Sequence, residues 1–285
     1  MAAPLSFKHL MSVSTERVTV GDRELEYDRI GSGPEALIFC HGAATDGATY
    51  HAVIARLPLS RLTVYAVSSS GCGNSAKPDI DYNMPMLAEE IVAFADTLGL
   101  SKFFISGHSL GGGIAMYVTA TWPDRVLGAM LIEPVPATGF SEDVITFYNS
   151  VIDDILAATP EQNIAVWRSS MIAWFMPQPL LERLAKLMAG TAGPYLRNTI
   201  LYNYGRSATE KNDLHLRLKN ITSPTIMITG DHDRHLPFNL EDFKSIAGCE
   251  LHVFSDSNHF MPMETPEELG RVMGAFLERV WRRRL

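Results

Sequence analysis

The chain has 285 residues, 46% of them apolar and 20% charged, with 24 lysines and arginines against 32 acids and a formal charge of -8. That composition suits a globular protein with ample material for a large core, and it lacks the clustered cations that a nucleic-acid surface needs. Three cysteines without a short paired spacing, Cys40, Cys72 and Cys249, fit neither a disulfide framework nor a zinc knuckle, so a reducing, cytoplasmic setting is expected.

The opening MAAPLSFKHLMSVSTERV has no continuous apolar segment of a leader's length, and no later stretch reaches about 18 apolar residues, so neither export nor a membrane is indicated. RVTV (17–20) and RELEYDRI (23–30) flank Gly21-Asp22, which predicts a hairpin at an antiparallel edge. Six further runs read as strands: ALIFC (36–40), LTVYAV (62–67), KFFIS (102–106), RVLGAMLI (125–132), TIMITG (225–230) and ELHVF (250–254). Helical patterns alternate with them, which predicts a mostly parallel α/β sheet wrapped by helices. One such helix carries Leu87, Ile91, Phe94 and Leu98 on a single face, with Gly99 as its C-cap. Residues 134–221 contain no convincing strand and read as helices, so they are expected to form a cap inserted in a core of 1–133 and 222–285. The last helix starts near Thr265 as N-cap with Pro266 in its first turn, and the terminal WRRRL places cations at its negative end.

The strongest chemical signal is Gly107-His108-Ser109-Leu110-Gly111, between an apolar strand and an apolar-periodic helix. A bare Gly-x-Ser-x-Gly would occur by chance in about one chain of this length in ten, taking Gly and Ser at ordinary frequencies. The strand-to-helix setting gives it meaning: two glycines permit a sharp turn that exposes the serine hydroxyl, and the helix N-terminus favours developing negative charge. Such a serine needs a positioned base. Nine histidines are available for that role, of which His51, His215 and His252 have scaffold or surface readings.

With FCHGAAT after one strand, GHSLGG after another, GDHDRHLP after a late one and SNHFMPMETPEEL before the last helix, the chain resembles the α/β-hydrolase superfamily over essentially its whole length. The resemblance implies an eight-stranded, mostly parallel sheet with an inserted helical cap. It also implies Ser109 as nucleophile, His259 as base, and the backbone amides of Leu110 and Ala43 as oxyanion donors, with Ala44 as the alternative to Ala43. His41 is expected to brace that loop. Gly230, Asp233 and Pro237 resemble the family's Gly-x-x-Asp-x-x-x-Pro pattern, and the resemblance implies Asp233 as the acid, over Asp231, which comes too early in the turn, and Glu133, which stands where some members carry their acid.

Asp231, His232, Asp233 and His235 also invite a metal reading, but neighbours on one tight turn diverge. His232, Arg234 and His235 are then expected to be exposed, and no metal or organic cofactor is required. The chain departs from the family at Ser68-Ser69-Ser70-Gly71-Cys72-Gly73-Asn74-Ser75, where many members carry an aspartate and arginine that brace the turn. Cys72 is read as a small buried hydrophobe.

Phe140, Phe147, Tyr148, Trp167, Met171, Trp174, Phe175 and Met176, with Tyr195, Tyr202 and Tyr204, make the expected cap rich in apolar surface. His108, Phe140, Trp167, Trp174 and Met261 are expected at the substrate pocket, with Met263 nearby. These features point to a serine hydrolase acting on a small hydrophobic ester, lactone or amide. Two alternatives stay open: a non-hydrolytic use of the fold, as a cofactor-free haloperoxidase or perhydrolase, lyase or oxygenase, and a ligand receptor that keeps the triad.

Overall fold

The computed structural model describes residues 12–43, 45–169, 178–203 and 213–284. Strands β1 (Val13–Val20) and β2 (Arg23–Gly31) form the expected hairpin, with Val20 paired to Arg23 and Gly21 at φ 61 in the turn. β1 starts earlier than its apolar run because pairing continues out to Val13 opposite Ile30. The chain continues through β3 (Glu35–Cys40), α1 (His51–Ile54), β4 (Leu62–Val67), α2 (Met84–Thr97), β5 (Phe103–His108), α3 (Leu110–Thr121) and β6 (Val126–Ile132). Between β6 and the next strand come α4 (Glu142–Ala157), α5 (Pro160–Ser169), α6 (Gln178–Ala189), α7 (Gly193–Asn203) and the short α8 (Leu214–Arg217). β7 (Thr225–Gly230), α9 (Leu236–Ser245), β8 (Glu250–Phe254), α10 (Met261–Glu264) and α11 (Pro266–Arg283) complete it.

The eight strands lie in the order β1-β2-β4-β3-β5-β6-β7-β8. From β4 to β8 neighbouring strands are parallel, and only β1 and β2 run antiparallel to their neighbours. Alternate residues serve opposite faces, as the pleat requires. Ile38, Cys40, Ile105, Leu131 and Met227 pack towards α2 and α3, while Leu37, Phe39, Phe104, Met130 and Ile228 pack towards α1 and α11. Burial on both faces explains why the central strands read as continuous apolar runs. The order reverses at β3, so a crevice opens outside the carboxyl ends of β3 and β5.

Helix ends follow local chemistry with one exception. The Asn83 side chain caps α2 by accepting from Met86 N at 3.0 Å, and Gly99 at φ 70 closes its far end. Pro266 opens α11 as expected, but Thr265 does not cap it with its side chain, because its hydroxyl donates to the Met261 carbonyl at 3.3 Å instead. Arginines of α11 and its end do more than complement a dipole: Arg284 binds Glu35 at 2.5 Å, and Arg279 binds Glu250.

The serine-rich turn after β4 is braced, although no charged pair lies within it. Glu90, buried on α2, accepts from the Ser70 N–H at 2.9 Å and from its hydroxyl, and Arg23 on β2 lies 3.3 Å from the same carboxylate. Burial raises the Glu90 pKa against these partners. Cys72 is fully buried in the core, as its apolar reading predicts. No helix among the described residues is long and apolar enough to cross a membrane.

Candidate active site

Ser109 sits between β5 and α3 at φ 54 and ψ -118, a conformation that costs a non-glycine residue about 1–3 kcal/mol. The surroundings enforce it. Its N–H donates to the Ile132 carbonyl at 3.0 Å, and its own carbonyl accepts from Gly113 at 3.1 Å and Val135 at 2.9 Å. A Cβ at Gly107 would strike the Gly111 carbonyl, and one at Gly111 would strike the carbonyls of Cys40 and His41. The two glycines therefore let the N-terminus of α3 close directly onto the loop after β3.

Two loops beyond β7 and β8 bring the other groups to this turn. Backbone bonds from Asp231 to Phe254, from His232 to Ser257 and from Asp233 to Gly230 fold the first loop against the second. Asp233 is buried, with Oδ1 accepting from the His235 N–H at 3.0 Å and Oδ2 lying 3.0 Å from His259 Nδ1. His259 Nε2 stands 2.9 Å from Ser109 Oγ. A carboxylate only accepts, so the hydrogen-bond inventory assigns the imidazole proton to Nδ1 and leaves Nε2 to accept from the serine hydroxyl. Burial alone would raise the Asp233 pKa, but the neighbouring His235 and His259 outweigh it and hold the carboxyl below the usual range.

Among the described residues, neither the Ala43 nor the Leu110 N–H has an acceptor within the protein, and Leu110 opens α3 where the helix dipole favours an anion. Ala44 lies outside the described residues. His41 braces the loop: its Nε2 accepts from Ser69 N at 3.0 Å, so its Nδ1 carries the proton to the Gly42 carbonyl 2.7 Å away.

His235 departs from expectation. It is buried, not exposed, with its ring 4.7 Å from Phe140 and 4.3 Å from the ring of His259, and its Nε2 3.2 Å from the Tyr148 hydroxyl on α4. Burial depresses its pKa to about 4. His232 and Arg234 do face outward, the latter with its guanidinium 4.8 Å from the Phe147 ring. The crowded sequence cluster thus divides. Asp231 reaches the Ser257 N–H at 3.4 Å, while ligand-type atoms of Asp233, His235 and His259 lie within 4.8 Å of one another. His259 already engages Asp233 and Ser109 through its two nitrogens, so this triplet is described by the hydrogen bonds it makes.

Glu133 is fully buried at φ 43, and its Oε1 accepts from Gly230 N at 3.2 Å. It lies 3.7 Å from His108 Nε2, and burial together with the nearby Asp233 pushes its pKa well up. It makes no direct hydrogen bond to His259.

The expected pocket residues need correction. His108 is buried with both ring nitrogens bonded within the protein, to Tyr50 at 2.9 Å and to the His259 carbonyl at 2.6 Å, so it offers nothing to a substrate. Met261 packs in the core beside α11, because Pro262 and the turn of α10 direct it inward. Phe140 is buried between His235, Tyr148 and Phe238. The side chains of Trp167 and Tyr202, and all of Met171, Trp174, Phe175, Met176 and Tyr204, lie outside the described residues. Tyr50 and Asp242 gave no warning in the sequence. Only the position of His235, two residues after the acid, hinted at proximity.

A family model described as the alpha/beta hydrolase fold matches residues 35–266. A 2-hydroxy-6-oxononadienedioate/2-hydroxy-6-oxononatrienedioate hydrolase of Burkholderia vietnamiensis is 25% identical over 295 aligned positions, covering 95% of this chain and 98% of that protein. An esterase structure from Exiguobacterium antarcticum is similar at a TM-score of 0.81 and 21% identity, covering 93% of this chain and 100% of its own. The enol-lactonase structure from Burkholderia xenovorans gives 0.78 and 18%, over 92% and 100% of the two chains.

Proposed function

The chain belongs to the α/β hydrolase family and is a hydrolytic enzyme, and on that premise we propose that it cleaves a carboxylic ester or lactone bearing a hydrophobic group by acyl transfer through Ser109. The observation that carries this is the unbroken row from Ser109 Oγ to His259 at 2.9 Å and from His259 to Asp233 at 3.0 Å. Ser109 Oγ attacks the carbonyl carbon as its proton passes to His259 Nε2. The resulting oxyanion is received by the amides of Ala43 and Leu110, each such donor contributing about 3–4 kcal/mol. His259 then protonates the departing alkoxide, leaving an acyl-enzyme. Water gives a proton to the same nitrogen and attacks the acyl carbon, and the carboxylic acid leaves as His259 returns that proton to Ser109 Oγ. Asp233 fixes the imidazole tautomer and stabilises its cation throughout. No step draws on a metal or organic cofactor.

Residues 134–221 act in this proposal as a cap that selects the substrate. Phe260, next to His259, shares an apolar cluster with Val151, Ile155, Leu184 and Met188 of the insertion, with Phe147 and Met263 packed on its edge. An apolar acyl or alcohol group is proposed to lie against this part of the insertion in preference to a sugar or phosphate.

The test is a panel of nitrophenyl esters of graded acyl length with acyl lactones, run beside Ser109→Ala. Turnover should fall by about 10⁴-fold or more in the variant, with the fold intact. Unchanged hydrolysis would remove the acyl-enzyme. A second reading has one support, the name of the Burkholderia vietnamiensis relative, so an oxo-dienedioate belongs in the same panel. Its preference over every ester would change the substrate class but leave the Ser109 step.

A further inference from the structure

We propose that His108 and Tyr50 are positioning residues which bridge the loop carrying the base to the loop carrying an oxyanion donor, so that one hydrogen-bonded link sets both. The proposal rests on the acyl-transfer reading of Ser109 and His259. Every proton in the bridge has a single assignment. The His259 carbonyl, 2.6 Å from His108 Nε2, only accepts, so Nε2 carries hydrogen. In the neutral ring Nδ1 is then bare and accepts from the Tyr50 hydroxyl at 2.9 Å. The Tyr50 oxygen in turn accepts from the Gly42 N–H at 2.8 Å.

Gly42 immediately precedes Ala43. Its carbonyl is held by the Thr45 hydroxyl at 2.9 Å and by His41 Nδ1 at 2.7 Å. That carbonyl and the Ala43 N–H belong to one planar trans peptide and point in opposite directions. Anchoring the oxygen therefore aims the amide hydrogen the other way, and Tyr50 fixes the peptide on its N-terminal side. The contact is close: a Cβ at Gly42 would stand 3.0 Å from His108 Nδ1, 3.2 Å from the Tyr50 oxygen and 3.4 Å from Ser109 Cβ. Tyr50 and His108 are both buried.

Tyr50, His259, the Phe260 ring and the carboxyl of Glu133, whose burial pushes its pKa up, face His108. Asp233 and His235 act on it as well, Asp233 and the His259 carbonyl favouring the charged ring and His235 the neutral one. Burial, helped by His259, depresses the His108 pKa to about 3. The bridge reaches the base through its backbone carbonyl alone and makes no hydrogen bond to the Ser109 hydroxyl or to a ring nitrogen of His259. Its effect is on where the base loop and the oxyanion loop stand relative to Ser109, a placement that matters in the transition state more than in substrate binding.

Two measurements test this. In the wild-type enzyme, ¹⁵N-histidine NMR should show His108 as the Nε2–H tautomer and unchanged across about pH 5 to 9. An Nδ1–H tautomer, or a titration in that range, would overturn the bridge whatever the reaction proves to be. In kinetics, Tyr50→Phe removes the donor to His108 and the acceptor for Gly42. It should lower kcat about 10- to 100-fold with KM within about threefold, less than the complete loss of one oxyanion donor. His108→Leu should do the same, His108→Gln should recover part of the loss by restoring a donor to His259, and the Tyr50→Phe/His108→Leu double variant should be little worse than either single change. Additive losses, a raised KM with kcat unchanged, or a kcat within twofold of wild type would each refute the proposal. Loss of the Ser109→Ala effect, by contrast, would remove the acyl-transfer reading and leave the tautomer result standing.

Discussion

Beneath Ser109, the polar groups of Tyr50, His108 and Asp233 are buried and bonded to other elements, and the backbone approaches so closely that glycine is required at 107 and 111. The insertion above is built differently. On α4, Glu142, Asp143, Asp153 and Asp154 face solvent while Val151 and Ile155 turn inward, an amphipathic helix held by one apolar stripe. Its bonds to the β-core include Ala192 N to the Gly71 carbonyl at 2.8 Å, Asn198 to the Ile80 carbonyl at 3.2 Å, and Tyr148 to His235 at 3.2 Å. A floor fixed by many directional bonds suits chemistry, which tolerates little displacement. In the cap arrangement proposed above, a roof seated on an apolar stripe suits selection among substrates. Lesions in the floor should therefore appear in kcat, and lesions at the joint in KM.

The largest expected effect falls within the floor. Asp233→Asn should lower kcat by about 10⁴-fold, since the imidazole loses the partner that sets its tautomer, whereas Glu133→Gln should cost less than about tenfold. Steady-state kinetics on the two variants settles which carboxyl serves His259, and the reverse order would overturn the assignment of Asp233.

At the joint, Gly71 has φ 91, and a Cβ there would lie 2.8 Å from the Tyr195 ring. Gly71→Ala should destabilise by about 1–3 kcal/mol and raise KM several-fold with kcat nearly intact, if Tyr195 seats the insertion. A kcat loss with KM unchanged would erase the distinction between floor and roof.

A third test uses pH. Asp242, buried on α9, accepts from Ala137 N at 2.5 Å and Thr138 N at 3.2 Å, where the chain leaves β6 for the insertion. Burial pushes its pKa from 3.8 up to about 6. Because the folded value is raised, its stabilising contribution is complete below about pH 4 and lost as pH rises through 6. Relative to Asp242→Asn, the wild type should lose about 2 kcal/mol between pH 4 and pH 6, the larger part of the roughly 3 kcal/mol that the whole shift carries at 1.36 kcal/mol per unit. Chemical denaturation of both proteins at the two ends of the window measures it, and a difference that is flat or grows with pH would contradict the assignment.

The smallest effect is expected from Tyr148→Phe, which removes one hydrogen bond between roof and floor and should alter kcat/KM by no more than about fivefold. A loss of two orders of magnitude would make Tyr148 part of the chemistry.

Much of this was legible in the residues. The strands β4, β7 and β8 coincide with their apolar runs, and Gly107, Ser109 and Gly111 announced the turn that they form. What misled was side-chain direction. His235 reads as a loop histidine and proves buried, Met261 reads as pocket and proves core, and the brace of the serine-rich turn comes from Arg23 and Glu90, distant in sequence. Local pattern reports periodicity and backbone strain, but carries no information on which way a loop side chain turns when two loops pack together.

The sequence by itself determined the sheet, its order of chemistry-bearing loops and the residue types at each, because periodicity, glycine placement and spacing are local properties. Only the tertiary structure decided that Asp233 and not Glu133 bonds His259, and that His108 faces Tyr50 and the His259 carbonyl. Those outcomes depend on hydrogen-bond directions between segments far apart in the chain, which no single segment contains.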